Sequence, residues 1–141
     1  MTYDIFGREL SRSRILDGFE TLLMSHSYDD VSIPNNSTEI SYFTVGGDSK
    51  VTRGYTDGWG RTIMTTTSTE KPGQYSVSQV RYDDDGNPIY AGYPVFASSD
   101  SWDTGLVFSG VTDGEVYRNR YPGVSYRYDP LGRIVSQRDA R

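Results

Sequence analysis

The phrase Tyr-x-Tyr-Asp-x-x-Gly-Arg constrains this chain more than any other feature, because it recurs. Its fullest copy is Tyr126, Tyr128, Asp129, Gly132, Arg133 and Ile134. Side chains alternate along a strand, so the two tyrosines share a face. Asp first, Pro130 second and Gly fourth are the preferences of a type I turn. Such a turn followed by a left-handed Gly makes a three-residue hairpin loop with a bulge. The stretch Tyr126 to Val135 therefore reads as strand, tight turn, strand. Other copies are Tyr3, Asp4, Gly7 and Arg8; Asp57, Gly60 and Arg61 after Tyr55; and Tyr82, Asp83 and Gly86. A recurring unit outranks any single motif, since missing it misassigns the whole fold. Positive φ is predicted at Gly7, Gly60, Gly86 and Gly132.

Successive glycines of the phrase lie 53, 26 and 46 residues apart. The first interval is about twice the second, and Tyr28-Asp29-Asp30 reads as a decayed copy between Tyr3 and Asp57. The unit is thus near 26 residues. That length is expected to hold about four short strands with their turns. The longer last interval is expected to carry an insertion around Ala97 to Ser101.

Strand and turn signals dominate the rest of the chain. Arg8 to Leu16 and Phe19 to Tyr28 are predicted strands around Asp17-Gly18, the strongest two-residue hairpin signal. Phe19, Leu22 and Met24 are the apolar members of the second. Leu16 to Ser25 is the best helix candidate, but Gly18 lowers its propensity and strand is preferred. Pro34 to Ser37 reads as a loop. Glu39 to Val45 alternates as a strand, Gly46 to Ser49 turns it, and Lys50 to Tyr55 returns. Arg61 to Thr69, Gln74 to Tyr82 and Ile89-Tyr90 are further strands, with a break at Lys71-Pro72-Gly73. Leu106 to Phe108 and a hairpin over Val111 to Tyr117 complete the set.

Composition agrees with a wet, turn-rich sheet. Hydrophobic residues are only 35% of 141, with 12 Tyr and 15 Gly. Tyrosine packs its ring while its hydroxyl stays hydrated. A net charge of −5 argues against nucleic acid or an anionic membrane as partner. No apolar run approaches the roughly 20 residues of a membrane span. The absence of cysteine removes disulfides and thiol catalysis.

The recurring phrase resembles the YD repeat of the rearrangement-hotspot (RHS) family. Tyr126, Tyr128, Asp129, Gly132, Arg133 and Ile134 match it best, and Tyr3, Asp4, Gly7 and Arg8 come next. Two copies depart from it: Thr56 stands where a tyrosine belongs, and Asn87 replaces the arginine after Gly86. The resemblance implies an all-β, antiparallel, hairpin-rich sheet that is one segment of a spiral β-shell, cut from a longer protein. In bacterial polymorphic toxins and insecticidal toxin complexes, such a shell encloses a toxic segment. In wall-associated bacterial proteins and teneurins, similar repeats are displayed outside the cell, and they have been linked with carbohydrate binding. The resemblance thus implies a secreted or cell-surface, non-enzymatic scaffold over residues 1–141. Its partners would be neighbouring repeats, an enclosed toxin segment or surface glycans. The family's self-cleaving elements, Pro-x-Gly-Leu and Asn-x-Tyr, have no counterpart near Arg141, so no proteolytic residue is carried over.

Candidate chemistry is thin, and no catalytic, cofactor or metal residue is assigned. His26 is the only histidine. A Ser-His-Asp site would need it, yet nothing stands at nucleophile-elbow spacing, so it reads as a surface or half-buried strand residue. Asp83-Asp84-Asp85 suggests calcium, but the sixth place is Pro88 where a calcium loop needs Gly. Those aspartates read instead as a turn capped by its own Asp. Trp59, Trp102, Tyr90, Tyr93, Tyr117 and Tyr121 form a possible sugar platform, with Trp102 and Tyr93 as ligand contacts. Their bland reading is cross-strand packing. Arg8, Arg61 and Arg133 are expected to pair with carboxylates on adjacent strands. Open edge strands are expected to invite self-association.

Overall fold

The computed structural model describes residues 1–43, 48–101 and 122–140, which form one antiparallel sheet of eleven strands. The strands are β1 (Thr2–Tyr3), β2 (Glu9–Leu16), β3 (Phe19–Asp29), β4 (Asn35–Tyr42), β5 (Ser49–Thr56) and β6 (Thr62–Ser68). There follow β7 (Tyr75–Tyr82), β8 (Pro88–Gly92), β9 (Val95–Ala97), β10 (Gly123–Tyr128) and β11 (Ile134–Ala140). Order in the sheet is order in the chain, except that β9 lies off the path and pairs with β7. The sheet is open, with β1 and β11 as its two edges.

This meander follows from turn chemistry. Leu16 pairs directly with Phe19 across Asp17 and Gly18, whose φ values are 51° and 81°. Two successive positive φ values define the hairpin turn whose twist suits a β-ribbon. The preference for strand over helix at Leu16 to Ser25 is correct. Gly7, Gly60, Gly86 and Gly132 have φ of 79°, 77°, 90° and 75°, as the bulged-turn reading requires.

The one irregularity has a local cause. β7 pairs along Tyr82 to Val80 with β8, and along Val77 to Tyr75 with β9. Tyr93 and Pro94 separate the two partners, and proline has no N–H for the ladder. Tyr93 N donates instead to Pro122 O at 2.8 Å, where the chain returns to start β10. The expected insertion therefore lies between β8 and β10, after Gly92. Ala97, placed in a loop by sequence, closes β9.

The core is small and central. Met64 and Thr66 on β6 meet Gln79 and Val77 on β7, and Tyr55 on β5 pairs with Met64. All five are buried. Tyr75, Val95 and Ala97 pack around the Tyr55–Met64–Val77 cluster. The segment after β9 crosses this face: Tyr55 Oη donates to Asp100 O at 2.8 Å, and Arg53 Nη1 stands 3.2 Å from Asp100 Oδ2. On the opposite face, register aligns Thr52 with Thr67, Thr67 with Ser76, and Thr65 with Ser78. A sheet with hydroxyls on one face and few apolar residues on the other accounts for the low hydrophobic content.

Two expectations need correction. Asn35 to Ser37, read as loop, open β4. Pairing with β3 on one side and β5 on the other overrides their weak strand propensity. The unit near 26 residues holds two long strands, not four short ones. Phe19 and Leu22, apolar members of β3, are exposed, because β3 meets β4 only from Met24 onward. Residues 13–23 thus form a two-stranded arm. The predicted Gly46-Gly47 turn, the strand at Leu106 to Phe108 and the hairpin at Val111 to Tyr117 lie outside the described residues.

Candidate functional site

Alternate hairpins turn on the same edge of the sheet, so the recurring phrase forms a row. Strands stand about 4.8 Å apart, which puts successive turns of this row roughly 10 Å from one another. Four of these turns, starting at Asp4, Asp57, Asp83 and Asp129, share one set of backbone bonds. The Gly N donates to the Asp O, closing the type I turn. The Asp N then donates to the O of the fifth residue, Arg8, Arg61, Asn87 or Arg133.

The aspartate side chain binds its own turn. Oδ1 of Asp4 accepts from Phe6 N and Arg8 N, and Oδ2 accepts from Arg8 Nε at 2.7 Å. Asp57 repeats this with Trp59 and Arg61, and Asp129 with Leu131 and Arg133. At Asp83 the arginine is missing, and Asn87 N and Nδ2 take its place. The three arginines therefore pair within their own turns, and the expected pairing toward an adjacent strand holds for Arg8 but not for Arg61 or Arg133. Arg8 alone also reaches the next hairpin, donating to both Asp30 carboxylate oxygens at 2.9 and 2.8 Å. Asp29, in the decayed copy, caps Val31 N and Ser32 N instead.

At three places a turn is tied to the next by a tyrosine. Tyr28 Oη donates to Glu9 O, Tyr82 Oη to Thr62 O, and Tyr128 Oη to Pro88 O, at 3.0, 3.1 and 2.9 Å. In every case the donor immediately precedes an Asp, and the acceptor follows the fifth residue of the preceding turn. Where that fifth residue is an arginine, its guanidinium covers the ring: Arg8 lies 4.1 Å from the Tyr28 centroid and Arg61 lies 4.5 Å from that of Tyr82. Arg61 continues over the following turn, so close that a Cβ on Gly86 would stand 3.1 Å from its Nη1. Between the second and third turns Thr56 holds the tyrosine's place and is too short for the rung. Sequence reasoning missed these rungs. Their signal was present in the Tyr-Asp dipeptides at 28, 82 and 128.

Electrostatics favour charged turns. Asp29 is pulled down to about 2, first by the Ser32 side chain and then by the Ser32 and Val31 amides. Asp129 is lowered chiefly by the Arg133 backbone N–H, and Asp30 chiefly by the Arg8 side chain. At Asp4, Asp57 and Asp83 desolvation raises the carboxyl, but hydrogen bonds from Arg8, Arg61 and Asn87 outweigh it and the net shift is downward. A carboxylate depressed in the folded state stabilises above its ordinary value, near 3.8 here. That stability is lost as pH falls through the folded value. The protein is therefore expected to lose stability steadily from just above pH 4 down to about pH 2. Urea midpoints measured across that range check this.

Of the remaining sequence candidates, Trp102, Tyr117 and Tyr121 lie outside the described residues. Tyr93 itself is half-buried at the β8–β9 break. Trp59 is 85% exposed at its turn tip and does not pack back on the sheet. His26 is half-buried on β3 and stacks on Tyr28 with ring centroids 6.3 Å apart. Asp83 is engaged in capping its turn. What this edge can do is mechanical: it registers hairpins against one another. No protein-family model matches the chain, and no curated protein does.

Proposed function

We propose that this chain is a non-enzymatic structural sheet, a wall segment of the YD-repeat kind. Its role is to enclose or display a toxic or adhesive module at the cell surface or outside the cell. One observation carries the reading: the same five-residue turn recurs along one edge, and tyrosines fasten successive turns at three places. That device adds hairpins to a sheet without requiring a deep core, as an extended wall needs. Stability in such a linear array grows with added units, because each contacts only its neighbours.

A chain carrying residues 1–141 twice in direct succession tests this. It is expected to unfold in one cooperative transition, at a higher temperature than the single copy. Two copies that melt independently at the single-copy midpoint would contradict a wall built by addition.

A further inference from the structure

We infer that the two edges of this sheet are halves of one contact, so that a second copy of the chain docks head to tail. The inference rests on the wall reading above and names the residues through which it would extend. Inside the sheet a complete rung has three parts: a tyrosine before the turn Asp, a guanidinium over its ring, and a backbone carbonyl receiving its hydroxyl. Arg8 with Glu9 O serves Tyr28, and Arg61 with Thr62 O serves Tyr82.

Among the described residues, no tyrosine fills the receiving half that the last turn presents. Arg133 is held by Asp129 through Nε at 2.7 Å, in the geometry of Arg8 and Arg61. Its side chain is 73% exposed, against 33% for Arg8 and 29% for Arg61. Ile134 O occupies the place of Glu9 O and Thr62 O. The first turn presents the donating half. Tyr3 precedes Asp4 as Tyr28 precedes Asp29, and it is 57% exposed. Its hydroxyl turns to Met1 Sδ at 3.3 Å, a weak acceptor.

Backbone follows the same logic. β2 leaves a turn and pairs antiparallel with β3, which ends in Tyr28-Asp29. β11 leaves the last turn, and β1 ends in Tyr3, so β11 of one copy and β1 of the next stand in the same relation. Among the described residues neither strand has a partner on its outer side. Arg133 then covers the second copy's Tyr3, whose hydroxyl donates to Ile134 O. The two surfaces differ, so the contact is heterologous and does not close on a dimer.

Sedimentation velocity over a wide concentration series tests this on the intact chain. The weight-average sedimentation coefficient is expected to keep rising with concentration instead of levelling at a dimer. Arg133→Ala and Tyr3→Phe are each expected to weaken association about fivefold, the worth of one exposed cation–π contact or hydrogen bond. Tyr3 is exposed, so Tyr3→Phe should leave the thermal midpoint unchanged, whereas Arg133→Ala also gives up the pair with Asp129 and should lower it slightly. A strict monomer, a plateau at dimer, or association undiminished in both variants overturns the contact. So does association lost only on Phe19→Glu, which would place it on the two-stranded arm. A strict monomer leaves the tandem-chain test of the wall to give its own answer.

Discussion

Asp57→Ala is expected to destabilise the protein by about 2–3 kcal/mol and to lower its melting temperature by roughly 8–12 °C. One carboxylate there accepts from Trp59 N and Arg61 N, both at 2.9 Å, and from Arg61 Nε at 2.7 Å. Bonds to a charged acceptor are worth about 1.5–3 kcal/mol each, but they are not additive, and water replaces part of the loss at a turn tip. Arg61 also loses the anchor that aims it over Tyr82, so the damage should spread to the next hairpin. Asp57→Asn keeps an acceptor for the two amides and loses the ion pair. It is expected to cost less than half as much. Urea unfolding of both variants checks the order, and equal losses would mean that the ion pair carries the turn.

Gly123→Ala should rival it, for a steric reason. A Cβ there would stand 2.5 Å from Tyr90 Oη and 2.6 Å from Ala91 O. The Tyr90 ring is buried, and Ala91 pairs with Val80 on one side and Val124 on the other, so neither can yield. Forcing a methyl into such a site costs about 3 kcal/mol. The effect should be local. Amide protection is expected to fall across β10 and β11 while β5 to β7 keep theirs, because the Tyr55–Met64–Val77 cluster is untouched. Hydrogen exchange resolved by residue checks this, and uniform loss would show that the hairpin and the core unfold as one.

The turns were legible in the sequence because their chemistry is local. Asp17-Gly18 and the Asp-x-x-Gly phrases need only their own few residues to set φ and to cap a backbone. From such turns an all-β antiparallel sheet followed. Less legible was whatever depends on neighbours. Asn35 to Ser37 have loop propensity, and only β3 and β5 on either side make them strand. Among the described residues, the turns on the far edge, at Asp17-Gly18 and Thr69 to Gln74, share no common sequence. Strand number per unit was therefore miscounted. The tyrosine rungs span 19, 20 and 40 residues, and no local pattern ties Tyr28 to Glu9. Arg8 illustrates both kinds of information: its bond to Asp4 is local, whereas its bidentate hold on Asp30 is visible only once β2 and β3 are paired.

The central claim is that successive turns are coupled energetically through these rungs. A double-mutant cycle across Arg61 and Tyr82, whose guanidinium and ring lie 4.5 Å apart, tests it most directly. Arg61→Ala, Tyr82→Leu and the double variant would be unfolded in urea beside the parent chain. The expected coupling energy is about 0.5–1 kcal/mol, so that the two losses fall short of adding. Losses that add within about 0.3 kcal/mol would mean that the turns stand independently, and would contradict the account.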